Sequence, residues 1–241
     1  MNTHVFKITA KTNLHVGNES GGDFTIIDKA IQRDPLTNLP CINSSSLKGA
    51  INEFCSNAIK MPADDRKKLF GSDKKDKKGE SQKGEAIFFD AKLLYLPQQD
   101  DNTLFHVETT SNVVDMMNKR VQLFDSKFNY AAENNIGGRP VVMLADKKEI
   151  DGQGNEITIT ADKQFEAKCS DDNLPIIARN VLDNGESKNL WYEQVLPSET
   201  VLYTIIQEEG DVLAKALNGQ IVQIGANATI GYGYCKFELM K

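Results

Sequence analysis

The sequence predicts an α+β fold in which helices cover one face of an antiparallel sheet. Three observations support this prediction: apolar or alternating segments typical of strands, segments with helical apolar spacing, and their order along the chain. That order is strand, helix, strand, long insertion, strand, helix, strand, which suits a ferredoxin-like sandwich. The chain has 241 residues, 40% of them hydrophobic, so we predict one domain over residues 1–241 with insertions.

The strands are predicted from alternation and from continuous apolar runs. Residues 4–10 alternate apolar and polar, which is typical of a half-buried strand. Residues 24–27 form a short apolar stretch that ends at Asp28. Residues 86–97 are apolar at nearly every position, as in a central strand covered on both faces. Further strands are predicted over residues 201–206, 221–225 and 233–239.

The helices are predicted from apolar spacing and from capping residues. One helix begins near Ser45 or Ser46, since serine hydroxyls accept free N–H groups of a first turn, and it ends at about Met61. Others are predicted over residues 64–70, 113–124 and 211–218.

The insertions are predicted from turn residues and charge. Residues 72–84 are rich in lysine and nearly free of apolar side chains, so we predict a flexible loop. Residues 150–161 predict a hairpin around Gly152. Residues 171–194 mix polar turns with scattered apolar residues and the single tryptophan, Trp191.

Composition excludes several classes of protein. The formal net charge is -6 and the pI about 5.2, which is unusual for a nucleic-acid binder, although a local basic surface remains compatible with an acidic chain. The four cysteines show no metal-ligand spacing, so we expect reduced thiols in a cytoplasmic protein and no zinc site. Neither a signal peptide nor a membrane span is expected, because no long apolar run is present.

Two stretches carry more information than their secondary-structure pattern. The first is Ile26-Ile27-Asp28-Lys29-Ala30-Ile31-Gln32-Arg33-Asp34-Pro35, continuing to Ser45-Ser46-Leu47-Lys48-Gly49 after a strand end at Leu14–Gly17. The second is the glycine-rich segment Gln223–Gly233. Together they resemble the N-terminal and C-terminal signatures of the RAMP proteins of type III CRISPR systems.

A third stretch narrows the resemblance. Leu190-Trp191-Tyr192-Glu193-Gln194-Val195-Leu196-Pro197 is similar to a segment of one subgroup, the repeated backbone subunit of type III-B (Cmr) complexes. The sequence departs from the family pattern at three places: Asn43-Ser44 replaces Pro-Gly, Asn52 replaces an arginine, and Ala226 replaces a glycine.

The resemblance implies an RRM-like palm with inserted thumb and finger elements. We expect residues 171–194 to form the thumb, a β-hairpin that wedges between bases of the guide–target duplex, with Ile176, Ile177 and Arg179 at its tip. The hairpin around Gly152 is the alternative thumb.

The resemblance also implies a guide-RNA groove. Ser45, Ser46 and Lys48 begin a helix whose free N–H groups suit phosphate, although an ordinary capped helix explains the same residues. The glycine-rich loop is expected beside it, although a tight turn between strands is the plain alternative. Its RNA-binding candidates are Gly225, Asn227, Thr229 and Gly231.

Asp28 is the candidate catalytic residue, because the matching aspartate of the family faces target RNA and is required for cleavage. By sequence alone a strand-end cap is the favoured explanation of this residue, and the resemblance reverses that preference. It could hold Mg²⁺ or another divalent cation once RNA is bound, or accept a proton. His15 is a weaker acid/base candidate, and a structural role is the favoured alternative for it. Arg33 is a candidate for a contact with phosphate. Asp34 is expected to cap the turn or to pair with Arg33.

The implied function is an RNA-guided one. Several copies would line a CRISPR guide RNA in a filament, together with other type III-B subunits, including the large polymerase-like subunit and the small subunit. They would cut complementary single-stranded target RNA at regular intervals, without a membrane. The alternatives are a non-catalytic guide-binding scaffold and a guide-processing endoribonuclease.

Overall fold

The computed structural model describes residues 1–17, 27–72, 81–99, 101, 104–130, 135–136, 139–140, 149–150 and 156–241. The predicted strand at 24–27 therefore lies largely outside the described residues, and the turn at Gly152 lies wholly outside them. The strands are β1 Asn2–Ala10, β2 Cys41–Ile42, β3 Gly71–Ser72, β4 Gln82–Lys83, β5 Ile87–Phe88, β6 Ala91–Gln99, β7 Phe105–Thr109, β8 Asn135–Ile136, β9 Arg139–Pro140, β10 Glu149–Ile150, β11 Glu156–Ile159, β12 Ile176–Asp183, β13 Glu186–Gln194, β14 Val201–Glu208, β15 Ile221–Gln223 and β16 Tyr234–Leu239.

Five α-helices lie among the described residues. Their bounds are α1 Ser44–Asn57, α2 Ala63–Phe70, α3 Ser111–Gln122, α4 Asp162–Lys168 and α5 Val212–Leu217. No helix among the residues with described structure is long and apolar enough to cross a membrane.

The fold is mixed α and β around a central, mostly antiparallel sheet. The strand order is β10-β11-β7-β6-β14-β1-β16-β15, with β2 also paired to β6 and β5 to β14. β1 lies between β14 and β16 and is antiparallel to both, while β11 and β7 are parallel. Helix α1 buries Leu47, Ile51 and Cys55 in the hydrophobic core, which is why its apolar residues have helical spacing.

The predicted helices and the predicted strands that fall on described residues are present, and their boundaries differ for local reasons. Helix α1 begins at Ser44 and ends at Asn57, not at Met61. Its first N–H is not capped by a serine: Ser44 N donates to Asp90 Oδ1 at 2.8 Å. Residues 86–97 are not one strand, because Asp90 interrupts the run where β5 and β6 pair with different parts of β14.

The insertions contain more pairing than their composition predicts. The ends of the lysine-rich segment pair as β3 and β4, with Ser72 opposite Gln82, so these ends are ordered and not loop. Residues 73–80 lie outside the described part of the chain. The predicted hairpin pairs Ile150 with Glu156, and its strand β11 joins the main sheet beside β7.

Residues 176–194 form a separate two-stranded sheet of β12 and β13. The expectation that Ile176, Ile177 and Arg179 lie at its tip is wrong. Ile176 pairs with Gln194 and Ile177 with Glu193, at the base of the hairpin. The tip is a two-residue turn at Asn184 and Gly185, with φ of 51° and 86°. Asn-Gly tolerates these left-handed values, so the turn forms there.

Candidate functional site

Three separate stretches of the chain meet at the buried side chain of Glu193. This residue lies near the end of β13 and is 1% exposed. Its Oε1 accepts from Trp191 Nε1 at 2.8 Å and from Lys29 Nζ at 3.1 Å, and its Oε2 accepts from Asn227 Nδ2 at 2.8 Å. These four residues, here called the Glu193 cluster, join the Asp28 segment, the hairpin base and the glycine-rich loop.

The Glu193 carboxyl remains ionised although it is buried. Burial would raise its pKa, but the hydrogen bonds from Trp191, Lys29 and Asn227 outweigh burial and lower the pKa below its ordinary value. Lys29 Nζ also lies 5.1 Å from the centre of the Trp191 ring, a cation–π distance. A buried charge with three donors fixes the relative positions of the segments that supply them.

Asp28 is held on the outside of this cluster. Asp28 N and Lys29 N both donate to Tyr192 O at 3.1 Å, and Gln194 N donates to Lys29 O at 2.9 Å, so the segment is fixed along β13. Tyr192 N donates to Asp28 Oδ2 at 2.7 Å. The residue is exposed, and its Oδ1 accepts no hydrogen bond from the described residues. Asp28 is therefore a positioned, exposed carboxylate with one oxygen that no described residue engages.

His15 lies beneath the site and not on its surface. Its side chain is buried, and Nδ1 lies 2.7 Å from Gln194 O. A carbonyl oxygen only accepts, so Nδ1 carries the proton of that bond. A buried imidazole bonded to the main chain fits the structural alternative for this residue and is not presented at the surface.

The guanidinium of Arg33 already donates its hydrogen bonds to other groups of the protein. Its Nε and Nη2 donate to Asp171 Oδ1 at 3.0 and 2.6 Å, and its Nη1 donates to the carbonyl oxygens of Asn38 and Cys169, both at 2.8 Å. The guanidinium therefore ties the turn after Asp34 to the chain that leads into β12, which leaves little of its donor fork for a phosphate.

Asp34 caps that turn and does not pair with Arg33. Its Oδ1 accepts from Leu36 N and Thr37 N, both at 2.8 Å, and its Oδ2 accepts from Lys92 Nζ. Burial would raise the pKa of Asp34, but the bonds from Lys92, Thr37 and Leu36 lower it to about 2. The carboxylate is therefore ionised at neutral pH, where it caps the turn.

The start of α1 presents serines to solvent beside an acidic side chain. Ser45 is exposed, and Lys48 lies against Phe88, with Nζ 6.0 Å from the ring centre. Burial opposes ionisation of Asp90, but the Ser44 N–H and Lys92 lower its pKa below the ordinary value. Its charge offsets part of the positive end of the helix dipole, which weakens this end as an anion site.

The glycine-rich loop is shaped by contacts within the protein. Gly225 has φ +81°, and a Cβ there would lie 2.2 Å from His15 O, so only glycine fits. Asn227 has a left-handed φ of 66° and is bound to Glu193. Thr229 and Gly231 are exposed, and a Cβ at Gly231 would meet nothing within 4 Å. These two positions face solvent.

Gln32 links the helix start to the strand end that supports the loop. Its Nε2 donates to Ser46 Oγ at 3.0 Å and to Gly17 O at 3.2 Å, and Asn43 N donates to its Oε1 at 2.7 Å. The loop joins the same strand end through Ala226 N, which donates to His15 O at 2.9 Å. Gln32 and Glu193 are the residues that sequence reasoning missed as organisers, although both lie inside recognised stretches.

The β12–β13 hairpin carries exposed apolar residues in its outer half and one, Ile176 at 40% exposure, at its base. Val181, Leu182 and Leu190 are 48%, 64% and 51% exposed. Arg179, nearer the base, lies with its guanidinium carbon 5.9 Å from the Tyr232 ring centre, so it connects the hairpin to the glycine-rich loop.

A divalent cation finds only part of its ligands in the protein. Among the residues whose structure is described, no group of three or more histidine, cysteine, aspartate or glutamate side chains is placed to hold one. Asp28 supplies one open carboxylate oxygen. That fits Mg²⁺ only if phosphate oxygens and water complete its coordination, as is usual for this ion.

Comparison with known proteins gives a family and a set of relatives. The family model described as the RAMP superfamily matches residues 7–236. The CRISPR system Cmr endoribonuclease Cmr4 of Pyrococcus furiosus is 25% identical over 289 residues, covering 99% of this chain and 96% of that protein.

Solved structures share the fold across the whole chain. A type III-B Cmr-beta complex bound to cognate target RNA contains a chain with a TM-score of 0.76 and 20% identity, covering 100% of this chain and 98% of that one. Oligomeric Cmr4 from Pyrococcus furiosus has a TM-score of 0.69 and 20% identity, covering 99% and 98%.

Proposed function

This chain belongs to the RAMP superfamily, and from that membership we propose that it is the repeated backbone subunit of a type III-B CRISPR ribonucleoprotein. In this role it binds CRISPR guide RNA and cleaves complementary target RNA at regular intervals. The observation that carries the proposal is the Glu193 cluster, which joins the three recognised stretches and leaves Asp28 as a fixed, exposed carboxylate. The relatives, among them an endoribonuclease and a chain of a complex bound to target RNA, support it.

The guide backbone runs between the start of α1 and the glycine-rich loop. Ser45, Lys48, Thr229 and Gly231 supply hydroxyl, ammonium and backbone N–H groups for phosphate, with Ser46 partly engaged by Gln32. Gly225 and Asn227 serve mainly to shape this loop. Arg33 has a structural role instead of a phosphate contact, as its bonds to Asp171 support.

Cleavage is a transesterification by the RNA itself. The 2′-oxygen attacks the adjacent phosphorus and the bond from phosphorus to the 5′-oxygen breaks. The leaving 5′-oxygen takes a proton from water, so the products are a 2′,3′-cyclic phosphate and a 5′-hydroxyl. Asp28 Oδ1 receives the 2′-OH proton while Tyr192 N holds Oδ2. In the alternative role the same oxygen would hold Mg²⁺ or another divalent cation together with RNA, the cation would supply charge stabilisation at the phosphate, and water would take the 2′-OH proton. His15 acts only by supporting the strand beneath.

The β12–β13 hairpin is the thumb, and its wedge lies nearer the tip than the sequence predicted. Leu182 and Leu190 lie on one face of the hairpin, since each belongs to the alternation that includes Asn180. Their exposure supports insertion between bases, because apolar wedges unstack base steps. Ile176, Ile177 and Arg179 secure the base.

The palm is ferredoxin-like. Its four central strands, in chain order β1, β6, β14 and β16, lie in the sheet order β6-β14-β1-β16, with α1 before β6 and α5 before β16. That order and the antiparallel pairing of β1 with both neighbours support the assignment.

The partners are guide RNA, target RNA, further copies of this chain, and other type III-B subunits, including the large polymerase-like and the small subunit, in the cytoplasm. A head-to-tail contact between copies gives an open filament, in which many modest RNA contacts add up along one guide. This explains how a chain of net charge -6 holds RNA.

Replacement of Asp28 by asparagine tests the catalytic assignment within the assembled complex. Asparagine keeps the shape and the acceptor for Tyr192 N but removes the base, so we expect cleavage to slow by about 10²–10⁴-fold with target binding retained. Asp172→Asn, at another exposed aspartate, is the matched control. Unchanged cutting by the Asp28 variant would favour the scaffold alternative, and one copy per RNA would favour the guide-processing alternative.

A further inference from the structure

Lys29 is the cation of the Glu193 cluster, and its ammonium has unused donors. The side chain is 53% exposed, and Nζ donates to one acceptor among the described residues, Glu193 Oε1 at 3.1 Å. An ammonium has three N–H donors, so two remain for a bound partner. Nζ also lies over the Trp191 ring, 5.1 Å from its centre, which helps to hold the charge in one place. Lys29 is therefore a positioned cation that is open to a ligand.

Lys29 and Asp28 are fixed to the same short part of β13. Asp28 Oδ2 accepts from Tyr192 N, and the Lys29 ammonium contacts the two neighbours of Tyr192 in the strand. Three residues of a strand span only about 7 Å. The chain also bends at Asp28, where the N–H groups of Asp28 and Lys29 converge on Tyr192 O, so the two side chains are not held on opposite faces as in a straight strand. An exposed carboxylate and an exposed ammonium thus border one surface.

The cleavage proposed at Asp28 needs positive charge beside the phosphate. Negative charge grows on the non-bridging oxygens as the 2′-oxygen attacks, and a fixed cation there stabilises it, whereas the Asp28 carboxylate repels it. Among the other cations of the recognised stretches, Arg33 is bound to Asp171. Lys48 lies against the Phe88 ring. The ammonium of the Glu193 cluster is therefore the side chain suited to this role.

We propose that Lys29 donates a hydrogen bond to a non-bridging oxygen of the phosphate at which Asp28 directs cleavage. The ammonium keeps its proton throughout, so it contributes charge and one donor and transfers nothing. The inference rests on the proposed function, because it needs target RNA that is cut at Asp28. It gives that reaction a second catalytic residue, supplied by the same short segment of the chain.

Single-turnover cleavage by the assembled complex at saturating target RNA tests this contact. Lys29→Met removes the ammonium but keeps an unbranched side chain, and we expect cleavage to slow by about 10²-fold. The variant should fold, because an exposed ion pair adds little stability. Lys29→Arg keeps a charge and donors and should cut faster than Lys29→Met. Lys215→Met, on α5, removes another exposed lysine that pairs with one carboxylate, and it serves as the control with unchanged cleavage.

Sulfur in place of one non-bridging oxygen at the cleaved phosphate separates a direct contact from a structural role. Sulfur accepts hydrogen bonds weakly, so one of the two diastereomers of this target should slow the wild-type complex. The same sulfur should slow the Lys29→Met complex little further, because the contact is already lost there. A residue that only supports the fold would leave the effect of sulfur unchanged.

The inference is overturned if Lys29→Met cuts like the wild type, or if it keeps the full effect of sulfur. It is also overturned if neither diastereomer slows the wild-type complex, a result that needs no variant. Recovery of the sulfur target by a sulfur-binding metal such as Cd²⁺ would assign the oxygen to a metal ion and overturn it as well. Failure of the wild-type complex to cut the all-oxygen target would instead overturn the proposed function itself.

Discussion

Replacing Glu193 by glutamine perturbs the cluster on which the site depends while keeping the side chain's shape. The carboxylate accepts three hydrogen bonds at 1% exposure, and an amide nitrogen cannot accept any of them. The Lys29 side chain is 53% exposed, so its ion pair is screened and adds little. Bonds to a buried charge contribute about 1.5–3 kcal/mol each, so we expect a loss of about 2–3 kcal/mol in unfolding free energy.

Thermal and urea denaturation measure this loss. For a chain of this length, a loss of that size lowers Tm by roughly 4–12 °C. Glu186→Gln is the matched control, because Glu186 lies on the same hairpin, its side chain is 79% exposed, and its carboxylate pairs with the exposed Lys188 at 3.3 Å. A Glu193→Gln variant that melts with the wild type would refute the account of the cluster.

The effect of Glu193→Gln on stability should also depend on pH in a defined direction. The folded pKa of Glu193 is below its ordinary value of 4.5, so its ionised form stabilises the native state. That stabilisation is fully present above pH 4.5 and is lost as the pH falls through the folded pKa. The difference between wild type and Glu193→Gln should therefore shrink in acid, and a difference that grows there would contradict it.

Three further predictions follow from the same contacts. Gly225→Ala should lower the free energy of unfolding by more than about 3 kcal/mol, because a Cβ there lies 2.2 Å from His15 O and the φ is left-handed. Gly231→Ala carries only the strain of a left-handed φ and should lose less; equal losses in a denaturation experiment would contradict this. Asp34→Asn should lower the free energy of unfolding above pH 3.8, where the wild-type carboxylate is ionised. The difference from wild type should vanish as the pH falls toward about 2, which urea titrations across that range measure. Leu182→Ser with Leu190→Ser should leave Tm unchanged, since both side chains are exposed, but disturb the spacing of cleavage products on a gel.

The parts of the fold that depend on local pattern were predictable. Alternation in residues 4–10 predicted β1, and helical spacing from Leu47 to Phe54 predicted α1, because these periods follow from backbone geometry within a few residues. The order of the elements along the chain predicted an α+β fold with an antiparallel sheet, and the structure confirms a mostly antiparallel central sheet.

Features that depend on distant residues were not predictable from pattern. Ser44 N is capped by Asp90, which lies 46 residues away, so the serine-rich start gave the wrong cap. Glu193 binds Lys29 across 164 residues of sequence, and no local signal identifies such a contact. The position of the hairpin tip, in contrast, is predictable from local sequence, because the pair Asn184-Gly185 is typical of a two-residue turn.

The most direct test of the central claim is to purify the tagged chain from its host and sequence the RNA that remains bound. A backbone subunit should retain short RNAs transcribed from the host's CRISPR arrays, with several copies of the chain on each RNA. Random RNA, or no RNA at all, would contradict the account.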